Sequence, residues 1–280
     1  MVGTLGVLGV HRTRLVTAGA GARGGAYGRP VDRSERARSF GAVAADYAEH
    51  RPGYPRAAVE WALTPVLGGA RVRLLDLAAG TGKLTAALLA HGSVVAVEPD
   101  GDMLTELRAR FPDADARAGS AEAIPVADSA VDAVLVGQAW HWFDHERALA
   151  EAARVLRPGG VLAVLWNRED TRVDWVPGYL AAMDRLRPAP RAGVADALPS
   201  LPTHPAFEHS RHSTHANPVR TTVDGLLAGQ ATHSWALVAE PEQRAQTFAA
   251  LRAYLAGRPE TGSGEFELPL VTEVIRVLRK

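Results

Sequence analysis

The 280-residue chain contains no cysteine, so neither disulfides nor thiolate chemistry enters its account, and a reducing cytoplasm is compatible with it. Lysine is almost absent as well. Only Lys83 and Lys280 occur among 31 basic residues, the rest being arginine. With abundant alanine, this reads as the coding bias of a GC-rich bacterial genome. Basic and acidic residues balance at 31 each, so no net field recruits nucleic acid or an anionic membrane. Aromatics make up only 6% of the chain. No apolar run approaches the roughly 20 residues that span a bilayer. At 47% hydrophobic, the chain can bury a full α/β core, and a soluble, cytoplasmic protein with one large domain is the economical reading.

The first 31 residues hold Arg12, Arg14, Arg23 and Arg29, eight glycines and no acid. The apolar stretch from Val2 to Val10 is broken by glycine and precedes the arginines, the wrong order for a secretory signal. Residues 1–35 read as a disordered tail or as translation from too early a start, with an organelle-targeting peptide as the sharper alternative. Residues 36–280 read as a single domain.

The chain is organised around Arg73 to Leu84. Val72, Leu74 and Leu75 form a short buried strand ending at Asp76. Ala78, Gly80 and Gly82 make every second position small, and Leu84, Ala87 and Leu88 then take helical spacing. Such a strand, glycine turn and helix let backbone N–H groups approach a nucleotide-like ligand. A glycine turn alone is weak evidence, and its sequel strengthens it. Gly92 ends the helix, and Val94 to Val97 form a second strand stopping at Glu98, sixteen residues beyond Gly82. A carboxylate there can accept both ribose hydroxyls of an adenosine group. A phosphate-binding P-loop fails, because Leu77 replaces its first glycine and Leu84 its Ser or Thr.

Upstream, Phe40, Val43, Tyr47 and Ala48 have helical spacing before Arg51-Pro52-Gly53-Tyr54-Pro55 stops the helix. That helix can fold over a cofactor as a lid with Tyr47 and Arg51 on one face; the alternative puts Tyr47 in the core and Arg51 at the surface. Past Glu98, Met103 lies on a helix where it covers a base or fills the core. A third strand near Ala116 to Gly119 leads to Ser120 and Ala121, at the strand end where ligands collect. Val131 to Val136 reads as a strand buried on both faces, followed by Gln138-Ala139-Trp140-His141-Trp142-Phe143-Asp144. Asp144 caps a helix running to Leu156 and stopped by Pro158-Gly159-Gly160. Val161 to Trp166 is a fifth strand.

From Asn167 the alternation loosens. Trp175 to Leu186 is a helix candidate, and Pro188 to Pro205 a connecting loop. His209, His212 and His215 recur every third residue. Strand alternation sends His209 and His212 to opposite faces, which favours a hydrated strand over a metal site. Pro241 opens a helix stopped by Gly257, and Phe266 to Leu278 reads as one long final strand.

Taken in order, Asp76 to Gly82, Glu98-Pro99, Gly119 to Pro125, Val131 to Val134 and Arg154 to Gly160 resemble the class I S-adenosylmethionine-dependent methyltransferases. More narrowly they resemble the type 11 small-molecule branch, where trans-aconitate methyltransferases are found. The resemblance covers about residues 39–170. It implies a doubly wound, Rossmann-like α/β fold with a seven-stranded, mostly parallel sheet whose last strand is antiparallel, lying between the fifth and sixth. Residues 167–234, largely beyond that span, read as a substrate-shaping insertion, since insertions in such folds vary with substrate. Glu98 would hold the ribose, Ala78 to Gly82 the methionine and ribose parts, and Ser120 and Ala121 the adenine, with Met103 and Gln138 beside them. Asp76 would order the turn through its N–H groups and meet the methionine ammonium; Tyr47 and Arg51 would approach the sulfonium and the carboxylate. Two residues depart from the family. Ala78 replaces a glycine, which suits a negative φ, and Ser120 replaces an aspartate, exchanging a charged acceptor for a neutral one.

Methyl transfer is an in-line displacement that alignment and desolvation largely carry. Trp140 and Trp142 are the candidates to line an acceptor site, and His141 to orient the acceptor or take its proton. Nucleic-acid amino-methylating enzymes of this fold carry Asn or Asp-Pro-Pro-aromatic after the fourth strand, where this chain has Gln138-Ala139-Trp140-His141, so a small-molecule acceptor is read, with an oxygen acceptor favoured. A catalytically silent cofactor-binding protein and a nicotinamide oxidoreductase remain as alternatives. The second lacks an internal lysine, other than Lys83, for a Tyr-Lys pair.

Overall fold

The computed structural model describes residues 51–68, 71–184, 201–237 and 239–280. The tail, Tyr47 with the rest of residues 39–50, and residues 188–200 of the expected loop lie outside them.

The described chain opens on helix α1 (Arg56–Leu63), which the sequence reading did not pick out. Strand β1 (Val72–Leu77), helix α2 (Lys83–Leu88), strand β2 (Gly92–Glu98), helix α3 (Gly101–Arg110) and strand β3 (Asp115–Ala118) follow in strict alternation. Gly92, expected to end a helix, is the first residue of β2, and α2 stops four residues earlier. Strand β4 (Val131–Gly137) leads through one 3₁₀ turn (Trp140–Trp142) to helix α4 (His145–Val155) and strand β5 (Leu156–Glu169). Beyond it come helix α5 (Val176–Asp184), strands β6 (Arg211–Ala216) and β7 (Val219–Thr221), helices α6 (Val223–Ala231), α7 (Ser234–Leu237) and α8 (Pro241–Ala256), and strands β8 (Phe266–Leu268) and β9 (Leu270–Leu278).

Seven strands form one sheet in the order β3-β2-β1-β4-β5-β9-β6. The first five pair in parallel, and β9 runs antiparallel to both β5 and β6. This is the expected doubly wound sheet with an antiparallel last strand. Successive residues of its central strands face opposite ways, so both faces are apolar. Leu74, Ala133 and Leu135 pack on α1 and α2 through Ala58, Leu63, Leu84 and Leu88. Leu75, Val134 and Val136 pack on α4 through Ala148, Leu149 and Ala152. After β1 the chain builds outward through β2 and β3, then returns to place β4 on the other side of β1. The carboxyl ends of β1 and β4 therefore flank the switch point, where open α/β sheets hold ligands.

The last strand is corrected in one respect. Pro269 divides it, because proline offers no N–H to a ladder. Residues before it pair with β7 in a separate two-stranded sheet, while β9 continues in the main one. A second correction concerns Asn167, expected to begin an irregular region. Strand β5 runs on through it because β9 supplies a partner as far as Glu169. His212 and His215 sit in β6 three positions apart and so on opposite faces, while His209 precedes the strand. Helices α5, α6 and α8 enclose a separate apolar cluster with Trp175, Tyr179, Leu226, Leu255 and Phe266. Among the described residues no helix is long and apolar enough to cross a membrane.

Candidate cofactor and acceptor site

At the end of β1 the backbone turns through Ala78 (φ 57°), Gly80 (φ 58°) and Gly82 (φ 90°). Ala78 thus corrects an expectation: it occupies the left-handed region, at a cost of about 1–2 kcal/mol for a residue with a Cβ. Gly82 is required twice over, since a Cβ there would also lie 2.5 Å from the Phe111 ring. The Met103 sulfur lies 3.8 Å from where a Cβ on Gly80 would stand, so Met103 backs the turn and is itself 6% exposed.

Asp76 is buried below this turn, 1% exposed. One carboxylate oxygen accepts the Thr85 hydroxyl at 2.6 Å, while Oδ1 is buried with no hydrogen-bond partner among the described residues. Burial pushes the carboxyl up to about 7; the Thr85 hydrogen bond opposes the shift and the Glu98 charge adds to it. The expected ordering of the turn by Asp76 belongs instead to Glu98. Its carboxylate accepts Gly80 N–H at 2.8 Å and Asp100 N–H at 2.9 Å. Burial pushes Glu98 up to about 7 as well, against those two hydrogen bonds. Thr81 adds a second orphan, a buried hydroxyl with no partner among the described residues.

Asp100 caps α3 by accepting the N–H groups of Asp102 and Met103, both at 3.0 Å, which fixes Met103 beside the turn. After β3, Ala121 is buried and Ser120 half-buried. Residues outside the expected set hold this loop. Arg154 donates to the carbonyls of Ile124 and Val126, Glu151 accepts Ile124 N–H, and Glu122 accepts Asp144 N–H.

Gln138 follows β4 with φ 59°, its N–H on Leu165 O and its side-chain Nε2 on Asn167 O at 3.0 Å. The two tryptophans beyond it separate. Trp140 is 3% exposed, its ring stacked on His145 at 5.1 Å and edge-on to Phe143 at 5.6 Å. This corrects its candidacy to line an acceptor site: Trp140 is core. Trp142 keeps surface, with the ring of exposed His141 against it at 4.6 Å.

Arg51 donates to Thr232 Oγ1 at 3.0 Å and to Thr232 O at 3.3 Å, joining the segment before α1 to the end of α6. Asn167, whose role was missed, donates to Gly53 O and accepts from Thr272 and Asn217. A single Asn after an apolar run carries no sequence signal for such a hub.

The methyltransferase domain family matches residues 75–164, the span from β1 to β5 that builds this pocket. A methyltransferase of Mycobacterium tuberculosis is 38% identical over 248 residues, covering 87% of this chain and 97% of that protein. Malonyl-[acyl-carrier protein] O-methyltransferase of Methylococcus capsulatus is 38% identical over 156 residues, 50% of this chain and 56% of that one. A solved structure from Anaeromyxobacter dehalogenans, described as a type II methyltransferase, superposes with a TM-score of 0.60 at 28% identity, covering 82% of this chain and 97% of that chain. The sheet order, with the glycine turn at its switch point, is the Rossmann-like arrangement, and the family match and these relatives make the chain a methyltransferase. The chain belongs to the class I S-adenosylmethionine-dependent methyltransferases.

Proposed function

We propose that the protein transfers a methyl group to an oxygen atom of a small molecule in the cytoplasm. The observation that carries this reading is the loop after β4, where exposed His141 lies against Trp142 beside the switch point. Zero formal charge and the sequence Gln138-Ala139-Trp140-His141 favour a small acceptor over a nucleic acid. The O-methyltransferase among its relatives supports an oxygen acceptor.

The pocket's chemistry fits the cofactor. Asp76 and Glu98 are buried carboxylates with no ion pair among the described residues, and Asp76 Oδ1 and Thr81 Oγ1 want partners. A guest bearing an ammonium group and ribose hydroxyls supplies what these groups lack. Glu98 would hold the ribose, Asp76 the ammonium, and the Ala78 to Gly82 turn the methionine and ribose parts. Ser120, Ala121 and Met103 would border the adenine; Gln138 would close the near side, with Tyr47 and Arg51 toward the methionine end. S-adenosylmethionine supplies the electrophilic methyl group on its sulfonium. The chain's own task is alignment and exclusion of water, and His141 takes the proton of a hydroxyl acceptor.

Transfer of labelled methyl groups to a panel of carboxylic acids, phenols and alcohols, with RNA and DNA alongside, tests this. Label is expected on a small oxygen acceptor. For a hydroxyl, His141→Gln should lower kcat about 100-fold and flatten the pH profile. For a carboxylate, already ionised at neutral pH, it should change kcat little. Label only on nitrogen or only on nucleic acid would overturn the proposal, and bound cofactor with no transfer to any acceptor would favour a catalytically silent protein.

A further inference from the structure

Asn167 lies two residues beyond Leu165, where the parallel pairing of β4 with β5 ends. Its amide has two donor and two acceptor positions, and all four are used. Nδ2 donates to Gly53 O at 2.9 Å and Pro52 O at 3.4 Å. Oδ1 accepts the Thr272 hydroxyl at 2.6 Å and Asn217 Nδ2 at 3.1 Å, and Asn217 reaches Gly53 O as well at 3.0 Å. The backbone carbonyl of Asn167 takes Gln138 Nε2. One side chain thus gathers the ends of β5, β6 and β9 and fastens Pro52 and Gly53 to them.

The fastened segment is flanked by two larger side chains. Tyr54 presses its phenol so closely on Gly137, the last residue of β4, that a Cβ there would overlap it. Arg51 reaches Thr232 beyond α6. Gly53 has no side chain of its own to fix its peptide, so Asn167 and Asn217 fix it from below. We propose that Asn167 is a positioning residue for methyl transfer, acting through Gly53 to hold Arg51 and Tyr54 at the carboxyl ends of β4 and β5. This rests on the reading above in which Arg51 serves the cofactor.

Asn167→Asp is nearly isosteric and turns the donors facing two carbonyls into acceptors. Calorimetric titration with S-adenosylhomocysteine is run on wild type, Asn167→Asp, Arg51→Ala and the double variant. Val277→Ala, a buried change elsewhere on β9, controls for lost stability alone. Asn167→Asp should weaken binding on the order of ten-fold, as for loss of one charge-assisted contact. In the Arg51→Ala background the same change should do almost nothing, because its effect passes through Arg51. Val277→Ala should lower Tm and leave affinity alone. Unchanged affinity in Asn167→Asp, or a loss that is additive with Arg51→Ala, overturns the inference. A folded wild-type protein that binds no S-adenosylhomocysteine would remove the cofactor reading itself, and the inference with it.

Discussion

The surroundings of Asp76 and of Asn167 both gather polar groups at the carboxyl ends of strands, and they treat those groups in opposite ways. Around Asp76, two buried oxygens have no partner among the described residues and Ala78 is held in a left-handed conformation. Around Asn167, every position of the amide is filled. A fully satisfied network is finished scaffolding; an unsatisfied one waits for its remaining partners. The pocket gives up folding stability that a ligand can restore, while the clamp beside it gives up none.

Removing Glu98 should produce the largest effect on the unfinished side. Glu98→Ala deletes the acceptor for Gly80 and Asp100 N–H groups as well as the proposed ribose contacts. Affinity for S-adenosylhomocysteine should fall about 100-fold, the worth of two charge-assisted hydrogen bonds at the low end of their range. Calorimetry reads it directly. An affinity within a few-fold of wild type would put the ribose elsewhere.

Acidity distinguishes the two regions next. Asp76 and Glu98 have folded-state pKa values of about 7, above their ordinary 3.8 and 4.5. The folded protein therefore binds these protons more tightly than the unfolded chain does. Their contribution to stability is greatest below about pH 4, is lost as pH rises toward 7, and levels off above it. The slope is about 1.4 kcal/mol per pH unit for each group within that window. Asp115, Glu151 and Asp170, held low by arginine partners, act only at lower pH. Ligand-free protein should thus lose stability from pH 5 to 7 in urea titrations, and S-adenosylhomocysteine should bind more tightly over the same interval. Thr272→Val, which takes a donor from Asn167, should cost about 1 kcal/mol at every pH, since neither residue titrates. A pH-dependent loss in that variant would erase the distinction.

The same contrast explains what could be read from the sequence. The β1 strand, the glycine turn and Glu98 were legible because backbone approach to a ligand restricts residue type at fixed offsets. The antiparallel last strand came from resemblance, and its break at Pro269 was present in the sequence though not used. Asn167 was invisible: its partners Gly53, Asn217 and Thr272 are brought together by the sheet and share no local spacing. Trp140 was misplaced because a tryptophan after a central strand looks the same whether it faces solvent or turns under the loop onto His145. Ala78 was legible as one of three alternating small residues, but the sign of its φ was judged from family comparison alone, with no local signal for it.

Ala78 also offers the smallest test. Glycine at φ 57° avoids the Cβ clash that alanine suffers, worth about 1–2 kcal/mol. It also enlarges the conformational freedom of the unfolded chain, which offsets about 0.4–1 kcal/mol of that gain. The net for Ala78→Gly is a stabilisation of about 0.5–1 kcal/mol, or a Tm higher by roughly 1–4 °C in a domain of this size. Strain in the turn is independent of the clamp at Asn167, so the increment should be the same in the Asn167→Asp background. An unequal increment in the two backgrounds would mean that the pocket and the clamp share one deformation, and the division between unfinished site and finished scaffold would not hold.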